Sequence, residues 1–174
     1  SVNNVKIKGI SATVPEEVYS NKNYEWISKK ERDMLIKTTG VNERHVAKFG
    51  MTTADLCESA TEKLIAELKW DKEDIDVLIF VSQSRDYLIP ATACILQNKL
   101  GLSNSCLAFD VNMGCSGYVY GLSIISGMMS SGQIKKGLLL VGDISTLNTS
   151  YNDKSTYPLF GDAGTCTALE YSQE

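Results

Sequence analysis

Val111-Asn112-Met113-Gly114-Cys115-Ser116-Gly117-Tyr118-Val119-Tyr120 sets a cysteine among small residues, between two apolar runs of different character. The run before it, Cys106 to Val111, is short and strand-like. The run after it, Tyr118 to Met129, has the length and apolarity of a buried helix. A cysteine at a strand-to-helix turn lies where the first backbone N–H groups of a helix lack partners. Those groups and the helix dipole favour a thiolate. Gly114 and Gly117 remove two Cβ atoms near the sulfur, which predicts an open approach for a substrate. The competing reading is a small core cysteine, because unpaired cysteine is among the most buried residue types.

Working outward, strands and helices alternate on both sides of this turn. Val5 to Ile10 alternates apolar and polar residues before Pro15 and predicts a strand. Asn21 to Lys37 has helical spacing and predicts two short helices; Thr38 to Val46 reads as a turn entering a short strand. Thr52 and Asp55 form a capping-box pattern, and Leu56, Ala60, Leu64 and Leu68 recur every four residues, predicting a helix from about Thr53 to Trp70. Asp76 to Val81 is a continuous apolar run, as in a strand covered on both faces. Pro90 suits the first turn of a helix through Leu100. Gly132 closes the helix that follows Cys115, and Gly137 to Gly142 is another buried strand. A polar loop then runs to Tyr157, before a last alternating strand at Gly164–Glu170. The order β-α-β-α-β-α-β-β predicts an α/β fold: a five-stranded, mostly parallel sheet with right-handed crossovers and helices on both faces. The Tyr118–Met129 helix is apolar on all sides, so a further domain or subunit is expected on its far side.

Composition narrows the function classes. A chain of 174 residues with 43% hydrophobic and 22% charged residues fits one soluble domain with a full core. The net charge of −4, without a basic cluster interleaved with aromatics, argues against nucleic acid as partner. Lys29-Lys30-Glu31-Arg32 is mixed in sign and reads as a solvated helix face. The cysteines at 57, 94, 106, 115 and 166 form no CxxC pair, and four of them sit in apolar or helical runs as reduced core thiols would. A reducing, cytoplasmic setting is therefore expected, with no metal and no cofactor. No apolar run approaches eighteen residues and the N-terminus lacks an apolar leader pattern, so no membrane association is expected. The single histidine, His45, is the only imidazole that could partner Cys115.

Five segments in order then carry a family resemblance: Gly40-Val41-Asn42-Glu43-Arg44-His45-Val46; Pro90-Ala91-Thr92-Ala93-Cys94 with Gln97 and Gly101; Phe109-Asp110-Val111; Gly114-Cys115-Ser116-Gly117; and Phe160-Gly161-Asp162-Ala163-Gly164. Each is weak alone, but together the chain resembles, over its whole length, the β-ketoacyl-[acyl-carrier-protein] synthase III branch of the thiolase-like condensing enzymes. The resemblance implies that Cys115 is the nucleophile and holds an acyl group taken from a thioester of coenzyme A or acyl-carrier protein. It also implies that the Cys115 N–H is half of an oxyanion hole, and that malonyl-acyl-carrier protein attacks the acyl-enzyme after decarboxylation in fatty-acid or polyketide assembly. The histidine and asparagine of such sites belong to a second thiolase-type half. Residues 1–174 are thus expected to be the N-terminal half, with the C-terminal half outside this chain and condensation beyond the reach of this half alone. His45 falls in the Glu-Arg-His element and is expected to be structural. Asp162, between glycines, is expected to make a tight turn rather than act as a base.

Departures from the family concern the donor. Members typically place a tryptophan six residues before the glycine of the Thr-Gly-Val element and an arginine two before it; here these are Met34 and Thr38. Trp26 is out of register, fourteen residues before Gly40, and a third family arginine corresponds to Lys154. Methionine lacks the stacking face of tryptophan and lysine lacks the fork of arginine, which implies weakened coenzyme A recognition. Ile89 matches a position that reaches the partner's acyl pocket across a dimer, although a plain helix-entry residue is an equal reading. The resemblance further implies a homodimer pairing the Cys106–Val111 strand with its twin. Two other readings stand beside condensation: acyl transfer from Cys115 to an alcohol or amine, and a non-catalytic partner half.

Overall fold

The computed structural model describes residues 3–173. In chain order it contains β1 (Val5–Thr13), β2 (Val18–Ser20), α1 (Lys29–Thr39), β3 (Glu43–His45), α2 (Thr53–Leu68) and β4 (Val77–Val81). α3 (Thr92–Lys99), β5 (Leu107–Val111), α4 (Gly117–Met129), β6 (Lys136–Ile144) and β7 (Asp162–Tyr171) follow. Local chemistry starts α1 and α2 in the same way. Ser28 with Glu31, and Thr52 with Asp55, each close a reciprocal capping box. The region expected to hold two short helices has a single 3-10 turn at Asn21–Asn23 and then α1. α3 differs from expectation at its start. Pro90 stands outside the helix, Ala91 is the N-cap without a side-chain bond, and the cap comes from afar. The Asp110 carboxylate in β5 accepts the N–H groups of Thr92 at 2.8 Å and Ala93 at 2.7 Å, so the Phe109-Asp110-Val111 segment ties β5 to α3.

The five-stranded sheet has the order β1-β7-β6-β4-β5, and β2 pairs with β3 in a separate two-stranded ribbon. β4 is parallel to both β5 and β6, whereas β7 is antiparallel to β6 and to β1. Four strands therefore point one way and β7 alone opposes them. The sheet is mostly parallel in direction and mixed in pairing. Helices cover both faces, as expected. On one face, α2 and α3 pack on Leu78, Phe80, Leu138, Leu140, Cys166 and Ala168. On the other, Ile125 and Met129 of α4 pack on Val77, Ile79, Val81 and Leu139. Every residue of β4 is buried, which accounts for its unbroken apolar sequence.

α4 meets the sheet through Gly117, Gly121, Ile125 and Met129, one residue per turn. A Cβ on Gly117 would stand 2.6 Å from Val81 Cγ1, and one on Gly121 would stand 2.6 Å from Leu139 Cδ1. The missing side chains therefore seat the helix against the strands. The outer face of α4 is bare, with Val119 67% and Tyr120 53% exposed, and Ile7 and Ile10 of β1 are exposed as well. The chain leaving β4 enters α3 on one face, and the chain leaving β5 enters α4 on the other. Adjacent parallel strands whose connections diverge in this way open a crevice at their carboxyl ends. Among the described residues no helix is long and apolar enough to cross a membrane.

Candidate active site

Cys115 stands at that crevice, between the end of β5 and the start of α4. It lies one residue before the N-cap, Ser116, which offers no side-chain cap. The turn is closed by the Gly117 N–H donating to the Gly114 carbonyl at 2.7 Å. Cys115 is exposed, and among the described residues no protein acceptor takes its own N–H. An uncapped helix start beside an exposed thiol leaves donors free for a bound oxygen. The two glycines differ in place. Gly117 is buried and makes room for Val81, whereas Gly114 lines the trough beside Cys115, with the Gln83 carboxamide near its Cα.

A trough of about 580 Å³ runs from Cys115 across the α4 side of β6 and β7 to Ile10, with Tyr118, Val141, Phe160 and Gln83 along it. A smaller cavity of about 240 Å³ adjoins it and adds Ser84, Asn148, Thr149 and Thr156. Two carboxylates organise the rim. Asp143 Oδ1 accepts the Gln83 N–H at 2.7 Å, the Ser84 N–H at 3.0 Å and the hydroxyls of Ser82 and Ser84 at 2.9 and 3.1 Å, fixing the loop after β4. Asp162 is buried and begins β7 rather than making a tight turn. Its oxygens accept the Ala47 N–H at 2.7 Å, the Thr146 N–H at 3.0 Å and the Thr146 hydroxyl at 2.6 Å, which leaves it a tether and not a base. His45 bonds the Pro15 carbonyl through Nδ1 at 2.6 Å and does not line the trough.

The substituted donor positions gather elsewhere. Met34 and Thr38 lie exposed on α1, and Lys154 reaches the start of that helix through a 3.1 Å pair with Glu31. Hydrogen bonds from Ser28, then Lys154, hold the Glu31 carboxyl down at about 2. None of these three residues lines the Cys115 trough. Ile89 is 89% exposed in the loop between β4 and α3, beside the exposed Leu88. Among the cysteines, burial pushes Cys57 and Cys166 up to about 12 and Cys106 to about 11, as core thiols. Cys94 departs from the expected pattern: it is exposed on α3, its thiol near the Ala108 carbonyl at 3.6 Å. Sequence reasoning missed Gln83 and Asp143 as parts of the site. The signal available for them was position, just past the carboxyl ends of two continuous apolar strands.

Comparison with known proteins bears on the whole arrangement. The family model described as 3-oxoacyl-[acyl-carrier-protein] synthase III matches residues 109–174, which include Cys115. A β-ketoacyl-[acyl-carrier-protein] synthase III of Staphylococcus epidermidis is 36% identical over 97% of this chain and 52% of its own length. The Syntrophomonas wolfei synthase III is 34% identical over 91% of this chain and 47% of its own length. The crystal structure of a 3-oxoacyl-(acyl-carrier protein) synthase from Burkholderia xenovorans LB400 superposes with a TM-score of 0.97 at 42% identity, over 99% of this chain and 50% of that one. The chain thus spans about half the length of the relatives it matches. Sequence and fold agree across nearly all of its described residues, and the chain belongs to the β-ketoacyl-[acyl-carrier-protein] synthase III family, of which it corresponds to the N-terminal, thiolase-like half.

Proposed function

We propose that the protein carrying this chain is an acyl-transferring condensing enzyme with Cys115 as its nucleophile. Cys115 Sγ attacks the carbonyl carbon of an acyl thioester, the bond from that carbon to the donor sulfur breaks, and the thiol proton of Cys115 leaves with the donor thiol. The Cys115 N–H, which no protein acceptor takes among the described residues, is one donor to the oxyanion formed on the way. A malonyl thioester of acyl-carrier protein then loses carbon dioxide, and its carbanion attacks the acyl carbon. Carbon–carbon bond formation expels Cys115 as thiolate, which regains a proton. One observation carries the reading: the cysteine of the family's Gly-Cys-Ser-Gly segment is the exposed thiol at the carboxyl-end crevice, at the head of the trough.

In this reading the groups that activate malonate come from a C-terminal half. The exposed outer face of α4 and the bare Ile7 and Ile10 support such a half as cover for this side of the sheet. β5 is an edge strand with Leu107 exposed, and Ile89 projects from the neighbouring loop. These features favour a homodimer in which β5 meets its twin and Ile89 reaches the partner's acyl site. With Met34, Thr38 and Lys154 at the donor positions, acyl-carrier protein is the favoured acyl donor over coenzyme A. Fatty-acid or polyketide assembly in the cytoplasm is the corresponding setting.

The test is acylation of the natural full-length polypeptide by acyl-coenzyme A and by acyl-acyl-carrier protein, read by intact mass and peptide mapping. One acyl group on Cys115, abolished in Cys115→Ala, is expected. Absence of acylation, or acylation on another residue, overturns the reading. Turnover of acyl-coenzyme A at ordinary micromolar KM removes the proposed donor preference alone.

A further inference from the structure

We infer that the cavity between the β2–β3 ribbon and the loop before β7 binds a small flat carboxylate against Arg44; this does not depend on the role of Cys115. Arg44 is the buried residue of β3, only 5% exposed. Its Nη1 donates to the Phe160 carbonyl at 2.9 Å, and its Cζ lies 4.5 Å from the centre of the Tyr157 ring. Among the described residues neither Nε nor Nη2 has a protein acceptor, and no carboxylate pairs with the group. Asp153, in the facing loop, is taken up by Ser155 and Thr156. A guanidinium withdrawn from water without a counter-charge is costly, and its Nε–Nη2 edge is one that grips a carboxylate through two parallel bonds. A second buried group is left incomplete in the same cavity. Asn21 is 2% exposed, and its Nδ2 donates to the carbonyls of Val41 at 3.0 Å and Pro158 at 2.8 Å, while its Oδ1 has no donor.

The walls select the ligand chemistry. The cavity holds about 300 Å³ and is lined by Tyr19, Tyr24, Tyr151 and Tyr157 besides Arg44 and Asn21. The rings of Tyr24, Tyr151 and Tyr157 pack in a triangle with centroids 5.1–5.2 Å apart. Tyr19 stands directly opposite Arg44 in the β2–β3 pairing, so both side chains rise from one face of the ribbon. Aromatic walls of this kind favour a flat ring, met by stacking or by an edge. Arg44 is the sole cation of the lining, which matches one carboxylate better than a doubly charged phosphate. The free Oδ1 of Asn21 is an acceptor and complements a hydroxyl on the same ring. The ligand class that fits is therefore a small aromatic hydroxy-carboxylate. The site is separate from the thiol: the cavity and the Cys115 trough share no lining residue, and none of Met34, Thr38 and Lys154 lines the cavity.

The experiment is calorimetric titration of the full-length protein with 3- and 4-hydroxybenzoate, their amides and inorganic phosphate. At least one hydroxybenzoate is expected to bind at one site per chain with a Kd of about 1 mM or tighter, ordinary for a ligand of about ten non-hydrogen atoms. The matching hydroxybenzamide keeps the ring and the hydroxyl but not the charge, and should bind about tenfold or more weakly. Arg44→Gln should weaken the acid by a comparable factor. Tyr19→Ala removes a half-exposed wall with little demand on folding and should weaken it about fivefold. Saturable binding absent from wild type overturns the inference, as does an amide bound as tightly as its acid. Unaltered affinity in Arg44→Gln overturns it too; should that variant fail to fold, unaltered affinity in Tyr19→Ala does so. Phosphate bound as tightly as the hydroxybenzoate overturns the assignment to a carboxylate.

Discussion

Gly117→Ala tests whether the position of Cys115 is set by the seating of α4. The added methyl would stand 2.6 Å from Val81 Cγ1 and 3.4 Å from Met113 Cβ. Carbon atoms pack best at about 3.5–4.0 Å, so about 1 Å of separation must be found between helix and strand. Val81 is poorly placed to yield. It is buried, β-branched, and flanked by Val111 and Val141 in the parallel register. Overpacking of this kind costs about 1–3 kcal/mol. Alanine in place of glycine returns at most about 1 kcal/mol of helix propensity, and less at the first helical residue. A net loss of about 1–2 kcal/mol is expected in urea denaturation. Acylation of Cys115, two residues upstream, should slow as well. The decisive comparison is the double variant with Val81→Ala, which removes the obstructing methyl. Its destabilisation should fall short of the sum of the singles by about 1–2 kcal/mol, the signature of a direct contact. A Gly117→Ala variant as stable as wild type, or strict additivity in the cycle, would refute the packing argument.

Two further outcomes follow from the clamping carboxylates. Asp110→Ala should lower stability by about 2–4 kcal/mol in denaturant unfolding, because the Thr92 and Ala93 N–H groups lose a charged acceptor. Asp110→Asn, which keeps one acceptor, should recover part of that, and equal losses in both variants would contradict the capping role. Glu31 should be the acid-sensitive anchor between α1 and the Lys154 loop. Its folded value of about 2 lies below the ordinary 4.5, so its contribution is complete above about 4.5 and disappears as pH falls through about 2. A carboxyl NMR titration of Glu31 near its ordinary value would show that the anchor does not form in solution.

What could be read from the chain alone depended on whether the deciding partner was near in sequence. The unbroken apolar runs of β4 and β6 announced strands covered on both faces, and Thr52 with Asp55 announced the start of α2, because those signals lie within a few residues. The start of α3 was misread around Pro90 because its cap, Asp110, lies in the next strand, seventeen and eighteen residues from the amides it serves. β2 went unseen because three residues carry no periodicity and are held by their pairing with β3. Cys115 was legible from its small neighbours and the contrast of the runs on either side. The purpose of Gly114 and Gly117 was not, since a sequence shows that a Cβ is missing but not which atom occupies the space. Gln83 and Asp143 meet across sixty positions, beyond any local pattern.

The lone reversed strand has a topological consequence. Because β7 runs back between β6 and β1, Val5 pairs with Tyr171, and the Tyr171 N–H bonds the Lys135 carbonyl at the amino end of β6. The two ends of the described fold therefore meet side by side at the end of the sheet opposite the Cys115 crevice. Chain that joins β1 or β7 to other parts of a longer polypeptide therefore starts away from the trough and off every strand pair described. Chain entry and exit are spatially separated from the thiol.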